Sequence, residues 1–190
     1  TPTSTPTPSP TATPVPSPTQ TPSPIITTFI FKVRFEGVHK FRPAKEILIT
    51  IQNQIQIFIN KQPLTFSSDA TGIYTSSEVS TNLITSDGSY DFYFNGPLHL
   101  SRKFSRNVAA GTVNTLDFTA ADLLAGDIVD NDCIDIFDFN RMAAEYGTKA
   151  PATPRSDVDF DTDVDIFDYN YMIGNWGTCS EAVTSPSPGL

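Results

Sequence analysis

Residues 127–148 reappear, shifted by 30 positions, as residues 157–178, and each copy opens on a stretch of interleaved carboxylates. Nine of the 22 aligned positions are identical: Asp127/Asp157, Asp135/Asp165, Ile136/Ile166, Phe137/Phe167, Asp138/Asp168, Asn140/Asn170, Met142/Met172, Gly147/Gly177 and Thr148/Thr178. Ile134/Val164, Phe139/Tyr169 and Tyr146/Trp176 differ but keep their character. A repeat of this kind marks a supersecondary unit that buries its apolar face against its twin. From Asp122 to Asp168 there are 12 Asp and one Glu against three basic residues, a local net charge of −10. Charge at that density repels itself unless a cation neutralises it. Ile, Val, Phe, Tyr and Met recur among the carboxylates at fixed offsets, so the segment does not read as a solvated acidic tail.

The spacing suits calcium. Calcium takes six to eight oxygens, and a 12-residue loop offers them from positions 1, 3, 5, 9 and 12 and from the backbone carbonyl at 7. In residues 157–168 these are Asp157, Asp159, Asp161, Asp165, Asp168 and the carbonyl of Asp163, with Val164 at position 8 turned toward the twin. Magnesium fits less well because it keeps its waters. In residues 127–138 the matching set is Asp127, Asn131, the carbonyl of Cys133, Asp135 and Asp138. Val129 stands at position 3 and brings no oxygen; Asp132 stands at position 6, where glycine usually makes the turn. Two Ca2+ sites are expected, the second stronger than the first. Each loop runs into a segment of helical period, Ile136–Tyr146 and Ile166–Trp176, ended by Gly147 and Gly177.

The rest of the chain divides by composition. Residues 1–24 hold 9 Pro, 8 Thr and 4 Ser and no charged side chain, which predicts an extended, polyproline-like linker. Thr and Ser beside Pro suggest covalent glycans, with Thr3, Thr5, Thr7, Thr11 and Thr13 as expected attachment points. The chain begins inside this tract, so a longer parent protein is expected. Residues 25–120 carry short runs of β-branched and aromatic residues, such as Phe31–Phe35, Ile47–Ile51, Ile55–Ile59 and Tyr90–Phe94. Turn signals separate them, including Glu36-Gly37, Asp69–Gly72, Asp87-Gly88 and Asn95-Gly96-Pro97. They predict a small antiparallel β-sandwich, with Asp87-Gly88 as a hairpin turn and an exposed edge near Ile25–Phe35. Residues 121–180 form the repeat module and 181–190 a tail. The fold class is thus multidomain, β followed by α.

Several functions are disfavoured. With a net charge of −9 and a pI near 4.5, nucleic acid is an improbable partner. No apolar run reaches the roughly 20 residues of a membrane helix. Cys133 and Cys179 form no CxxC or Cys/His cluster of the kind zinc needs. Motifs of hydrolases, metalloproteases and nucleotide-binding folds are missing, and His39 and His99 have no catalytic partner nearby in sequence. No enzyme activity is expected.

Gly126-Asp127 through Gly147 and Ser156-Asp157 through Gly177 resemble the two duplicated segments of a dockerin, each a calcium loop followed directly by a helix. The resemblance covers about 55 residues at the C-terminal end. It implies binding to cohesin modules, with partner-reading residues at loop positions 10 and 11, here Ile136-Phe137 and Ile166-Phe167. These apolar pairs are expected to pack on the β-domain or on another subunit. The antiparallel helices implied by the resemblance would bring the end of the second near the first loop. A Cys133–Cys179 disulfide would then clasp the module in an oxidising, extracellular or cell-surface setting. Asn95–Leu100, ahead of Arg102-Lys103-Phe104, is similar to segments that precede such repeats in bacterial surface proteins. Their sandwiches resemble collagen-binding B-type or carboxypeptidase-regulatory domains.

The sequence is compatible with three functions. One is a structural assembly protein, as in a surface filament that self-associates. Another is a dockerin that attaches a polysaccharide-degrading enzyme to a cohesin scaffold. The third is a carbohydrate-binding or adhesion module with an aromatic platform drawn from Tyr74, Tyr90 or Tyr93.

Overall fold

A computed structural model describes residues 1–3, 23–149 and 155–181. Thr5, Thr7, Thr11 and Thr13 and most of the C-terminal tail lie outside the described residues; Thr3 is exposed. The strands are β1 (Thr27–Arg34), β2 (Lys45–Gln52), β3 (Ile57–Ser68), β4 (Ile73–Ser76), β5 (Val79–Thr81), β6 (Gly88–Asn95), β7 (Arg102–Val108) and β8 (Val113–Asp117). Two helices follow, α1 (Ile136–Glu145) and α2 (Ile166–Gly174).

The alternation in the sequence decides which face of each strand is buried. Along β1, Thr27, Phe29, Phe31 and Val33 point inward and their neighbours are half-exposed. All eight strands belong to one sheet, in the order β5-β1-β4-β3-β2-β6-β7, with β8 on the other edge of β1. The sheet curls until β1 meets β6 across the core. Phe31 packs edge-on against Phe92 and Phe94, ring centroids 5.8 and 5.4 Å apart. Phe118, just past β8, fills the bottom of this cluster, 5.0 Å from Phe94 and 4.9 Å from Phe104.

The result is one curled sheet, a sandwich-like half-barrel that is mostly antiparallel as the alternation predicted, and it corrects three finer expectations. Its β1–β8 pair is parallel, Thr28–Lys32 against Val113–Asp117. β1 is no edge strand, because β4 and β5 cover its other side. Asp87-Gly88 also makes no hairpin: Gly88 opens β6, whose partners are β2 and β7. Its neighbour in sequence, β5, pairs with β1 instead. A period of two fixes faces; it leaves the choice of partner strand to long-range packing.

After β8 the chain stays attached to the sheet. Leu123 bridges to Phe35 and Ala125 to His99. Gly96 has no room for a side chain, since a Cβ there would lie 2.3 Å from the Phe35 ring. That close approach lets the β6–β7 turn cover Phe35 and carry Leu98 and His99 to the junction with the repeat module. Leu98 packs against both apolar clusters, that of the sheet and that of the module.

Candidate metal centre and docking face

The two acidic loops are built alike down to single hydrogen bonds. In the first, the buried Asp127 carboxylate accepts from the amides of Asn131 (3.0 Å) and Asp132 (3.1 Å). In the second, Asp157 accepts from Asp161 (2.8 Å) and Thr162 (2.9 Å). Asp138 accepts from the amides of Ile128, Val129 and Asp135, and Asp168 from those of Val158, Asp159 and Asp165. Asp135 and Asp165 cap α1 and α2, each receiving the amide two residues on and closing a capping box with Asp138 or Asp168. Positions 4 and 6 of both loops take positive φ: Asp130 and Asp132, Phe160 and Thr162. No glycine stands at any of these four positions, so both turns carry backbone strain.

Twofold-related contacts join the units. Ile134 donates to Thr178 and accepts from Gly177, at 2.8 and 2.9 Å. Val164 donates to Thr148 and accepts from Gly147, at 2.9 and 2.8 Å. Ile128, Ile134 and Met142 meet Val158, Val164 and Met172 in one buried cluster. The chain crosses itself at two equivalent ends, and different chemistry closes each. At one end Cys133 and Cys179 form a disulfide, as the resemblance implied. At the other, Lys149 and Asp163, their counterparts 30 residues away, form an ion pair. The Asp163 side chain is thereby engaged, which leaves its carbonyl for other duty.

The loops differ in what they present. Carboxylate oxygens of Asp157, Asp159 and Asp161 lie within 4.8 Å of one another. Among the described residues the first loop forms no such cluster. Val129 fills position 3 there, and Asn131 Oδ1 is turned back onto the amide of Cys133 at 3.1 Å. Burial pushes the Asp159 carboxyl up to about 7, with Asp161 and Asp168 adding to the shift. Burial likewise pushes Asp127 and Asp168 to about 6. Asp159 Oδ1 is buried without a hydrogen bond. Three converging carboxylates, one with a buried oxygen that accepts no hydrogen bond, are the donor set a hard divalent cation takes. These residues fit calcium.

The second loop is also set into the β-domain. Phe160, at position 4, enters the sheet's core beside Phe35 (5.7 Å) and His99 (5.6 Å). Lys45 Nζ sits 3.6 Å from the centre of the Phe160 ring. Arg42 Nε donates to the carbonyl of Asp159 at 3.0 Å, and its Nη2 lies 3.7 Å from Asp159 Oδ1. Glu36 receives the Ala125 amide and the Asn175 side chain. Gly37, at φ +86°, lies under Tyr171 and Asp159 with no space for a Cβ. None of Glu36, Arg42, Lys45 or Phe160 stood out in the sequence as a site residue, Glu36 only as part of a turn. The one available signal was Phe160, an aromatic residue inside a carboxylate loop where the twin has Asp130.

The residues at positions 10 and 11 do not pack on the β-domain. Ile136, Phe137, Ile166 and Phe167 are 51%, 61%, 48% and 59% exposed. They stand at the starts of α1 and α2, next to a shallow groove lined by Phe139, Met142, Ala143, Tyr146, Ile166 and Tyr169. The platform tyrosines fare differently. Tyr74, Tyr90 and Tyr93 are buried and offer no flat aromatic surface. His99 is buried between two carbonyls, and burial holds its imidazole down to about 4, so it is neutral near pH 7.

No family model and no curated protein matches the sequence. Solved structures do match. One is a chain in the crystal structure of a C-terminal interface mutant of the type II cohesin–X-dockerin complex from Acetivibrio cellulolyticus. Its TM-score is 0.53 at 16% identity, covering 81% of this chain and 97% of that one. A chain of an N-terminal interface mutant of such a complex gives 0.47 at 14% identity, covering 82% of this chain and 97% of that one.

The likeness to the first is one of fold. It extends beyond the sheet, because strands β1 to β8 span residues 27–117, well short of 81% of the 190 residues.

Proposed function

We propose that this chain is an extracellular, calcium-stabilised assembly module whose α1–α2 face docks onto a protein partner of cohesin type. The observation that carries this reading is the duplicated apolar pair Ile136-Phe137 and Ile166-Phe167, exposed at the two helix starts, with the apolar groove of Phe139, Met142, Ala143 and Tyr146 reaching Ile166. Large apolar residues left exposed around such a groove mark a contact surface. In the sequence these pairs occupy the positions through which dockerin-like segments read their partners. The likeness of fold to a chain from a cohesin–X-dockerin complex supports the same reading.

Calcium would be held at 157–168 by Asp157, Asp159, Asp161, Asp165, Asp168 and the Asp163 carbonyl. In the first loop Asp127, Asn131, Asp135, Asp138 and the Cys133 carbonyl form a poorer set, and weaker binding follows. The ion's contribution is to neutralise the carboxylates that position both helices. The role is assembly, without catalysis. Glycans on Thr3, Thr5, Thr7, Thr11 and Thr13 of the Pro/Thr tract belong to the same extracellular reading.

The test is binding of the purified chain to a type II cohesin in calcium and in chelator. Binding at about 10 μM or below that is lost in chelator, and lost in Phe137→Asp/Phe167→Asp, is the expected result. No binding at that concentration sinks the cohesin reading. Sedimentation of the same sample decides the second reading, which the same exposed face favours: concentration-dependent self-association points to a filament subunit.

A further inference from the structure

We infer that Arg42, on the connection between β1 and β2, and Lys45, the first residue of β2, lower the divalent-ion affinity of the 157–168 loop from outside it. The inference rests on the calcium reading of that loop. Arg42 is fixed before it reaches the loop: its amide donates to Ser68 Oγ at 2.8 Å, and Ser68 Oγ donates back to its carbonyl at 2.7 Å. From there its guanidinium meets both the carbonyl and the carboxylate of Asp159. Both side chains are largely buried, at 12% and 14% exposure, so water screens the pair poorly. Lys45, held over Phe160, adds a second positive charge that feels the Asp157 carboxylate. In the first loop Val129 and Asp130 replace Asp159 and Phe160, so neither contact has a counterpart.

Two effects act in one direction. Without an ion, Arg42 and Lys45 offset the repulsion among Asp157, Asp159 and Asp161, which stabilises the empty loop. With a divalent ion at those carboxylates, the same two charges repel it. Each lowers the free energy gained on binding. Opposing them is the positioning of the Asp159 carbonyl by Arg42, a single hydrogen bond that a neutral donor at position 42 can retain. The charge effect is the larger, because the ion carries two charges in a half-buried site.

The experiment is calcium titration of the chelated, full-length protein by calorimetry, with melting followed in chelator. Arg42→Gln is expected to bind calcium roughly tenfold more tightly, the scale of one poorly screened charge, and to melt at lower temperature than wild type when ion-free. Arg42→Lys, which keeps the charge, is expected to stay near the wild-type affinity. If Arg42→Gln does not fold, as judged by circular dichroism, Lys45→Gln decides, with tighter binding expected. Wild-type binding with no gain in the folded charge-removing variant overturns the tuning and leaves the calcium reading standing. Wild type that takes up no calcium overturns both.

Discussion

Asp127, Asp159 and Asp168 show how single residues tie the fold to its surroundings. Burial holds Asp159 near 7 and Asp127 and Asp168 near 6, above the ordinary aspartate value of 3.8. A carboxyl whose folded pKa is raised is more protonated folded than unfolded, so stability falls as pH rises through that window. His99 acts oppositely: its pKa falls from 6.5 to about 4, which destabilises the fold as pH drops below 6.5. Between pH 8 and 6 the three carboxyls dominate. In chelator, the melting temperature is therefore expected to rise as pH falls from 8 to 6; a flat or falling curve counts against this electrostatic account. Saturating calcium should flatten the dependence, because ligation needs ionised carboxylates. The positions of these aspartates were legible in the sequence from spacing alone. Arg42, Lys45 and Glu36 were not, because each acts across more than 75 residues of chain and no local pattern announces a contact of that range.

Elements carried a clearer record. The 30-residue repeat predicted both helices to within two residues of their ends, and the shared core of Val164 and Ile134 followed from their place in each loop. Strand faces were equally readable from alternation. The parallel β1–β8 pair and the curl of a single sheet were not, since the same alternation fits other partners. Hydrophobic residues at loop positions 10 and 11 signalled a surface, and the structure shows that the β-domain does not cover it. At the two chain crossings, a disulfide at one end stands where an ion pair stands at the other. The disulfide spans 46 residues, so it withdraws about 4 kcal/mol of chain entropy from the unfolded state in the loop-closure treatment. The Lys149–Asp163 pair is exposed on its lysine side, where water screens it, and contributes little. Cys133→Ser/Cys179→Ser is thus expected to lose several-fold more stability in urea than Lys149→Met. Equal losses would show that the disulfide does not clasp the module as described.

At the scale of the molecule, the sheet and the repeat module share a boundary made of core residues. Phe160 lies in the core of the sheet, Leu98 packs on both clusters, and Gly37 has room only for hydrogen beneath Tyr171 and Asp159. The composition change near residue 121 thus falls at this packed boundary between the two apolar clusters. The apolar residues at both helix starts are left exposed, and the second loop holds the module to the sheet. Calcium in this loop is the proposal from which the rest follows. Crystals grown in calcium test it through anomalous difference density collected at long wavelength. A strong peak is expected among the carboxylates of Asp157, Asp159 and Asp161, with oxygens at about 2.3–2.6 Å, and a weaker peak or none in the 127–138 loop. A 157–168 loop without a peak at millimolar calcium, or one occupied only by water, would contradict it.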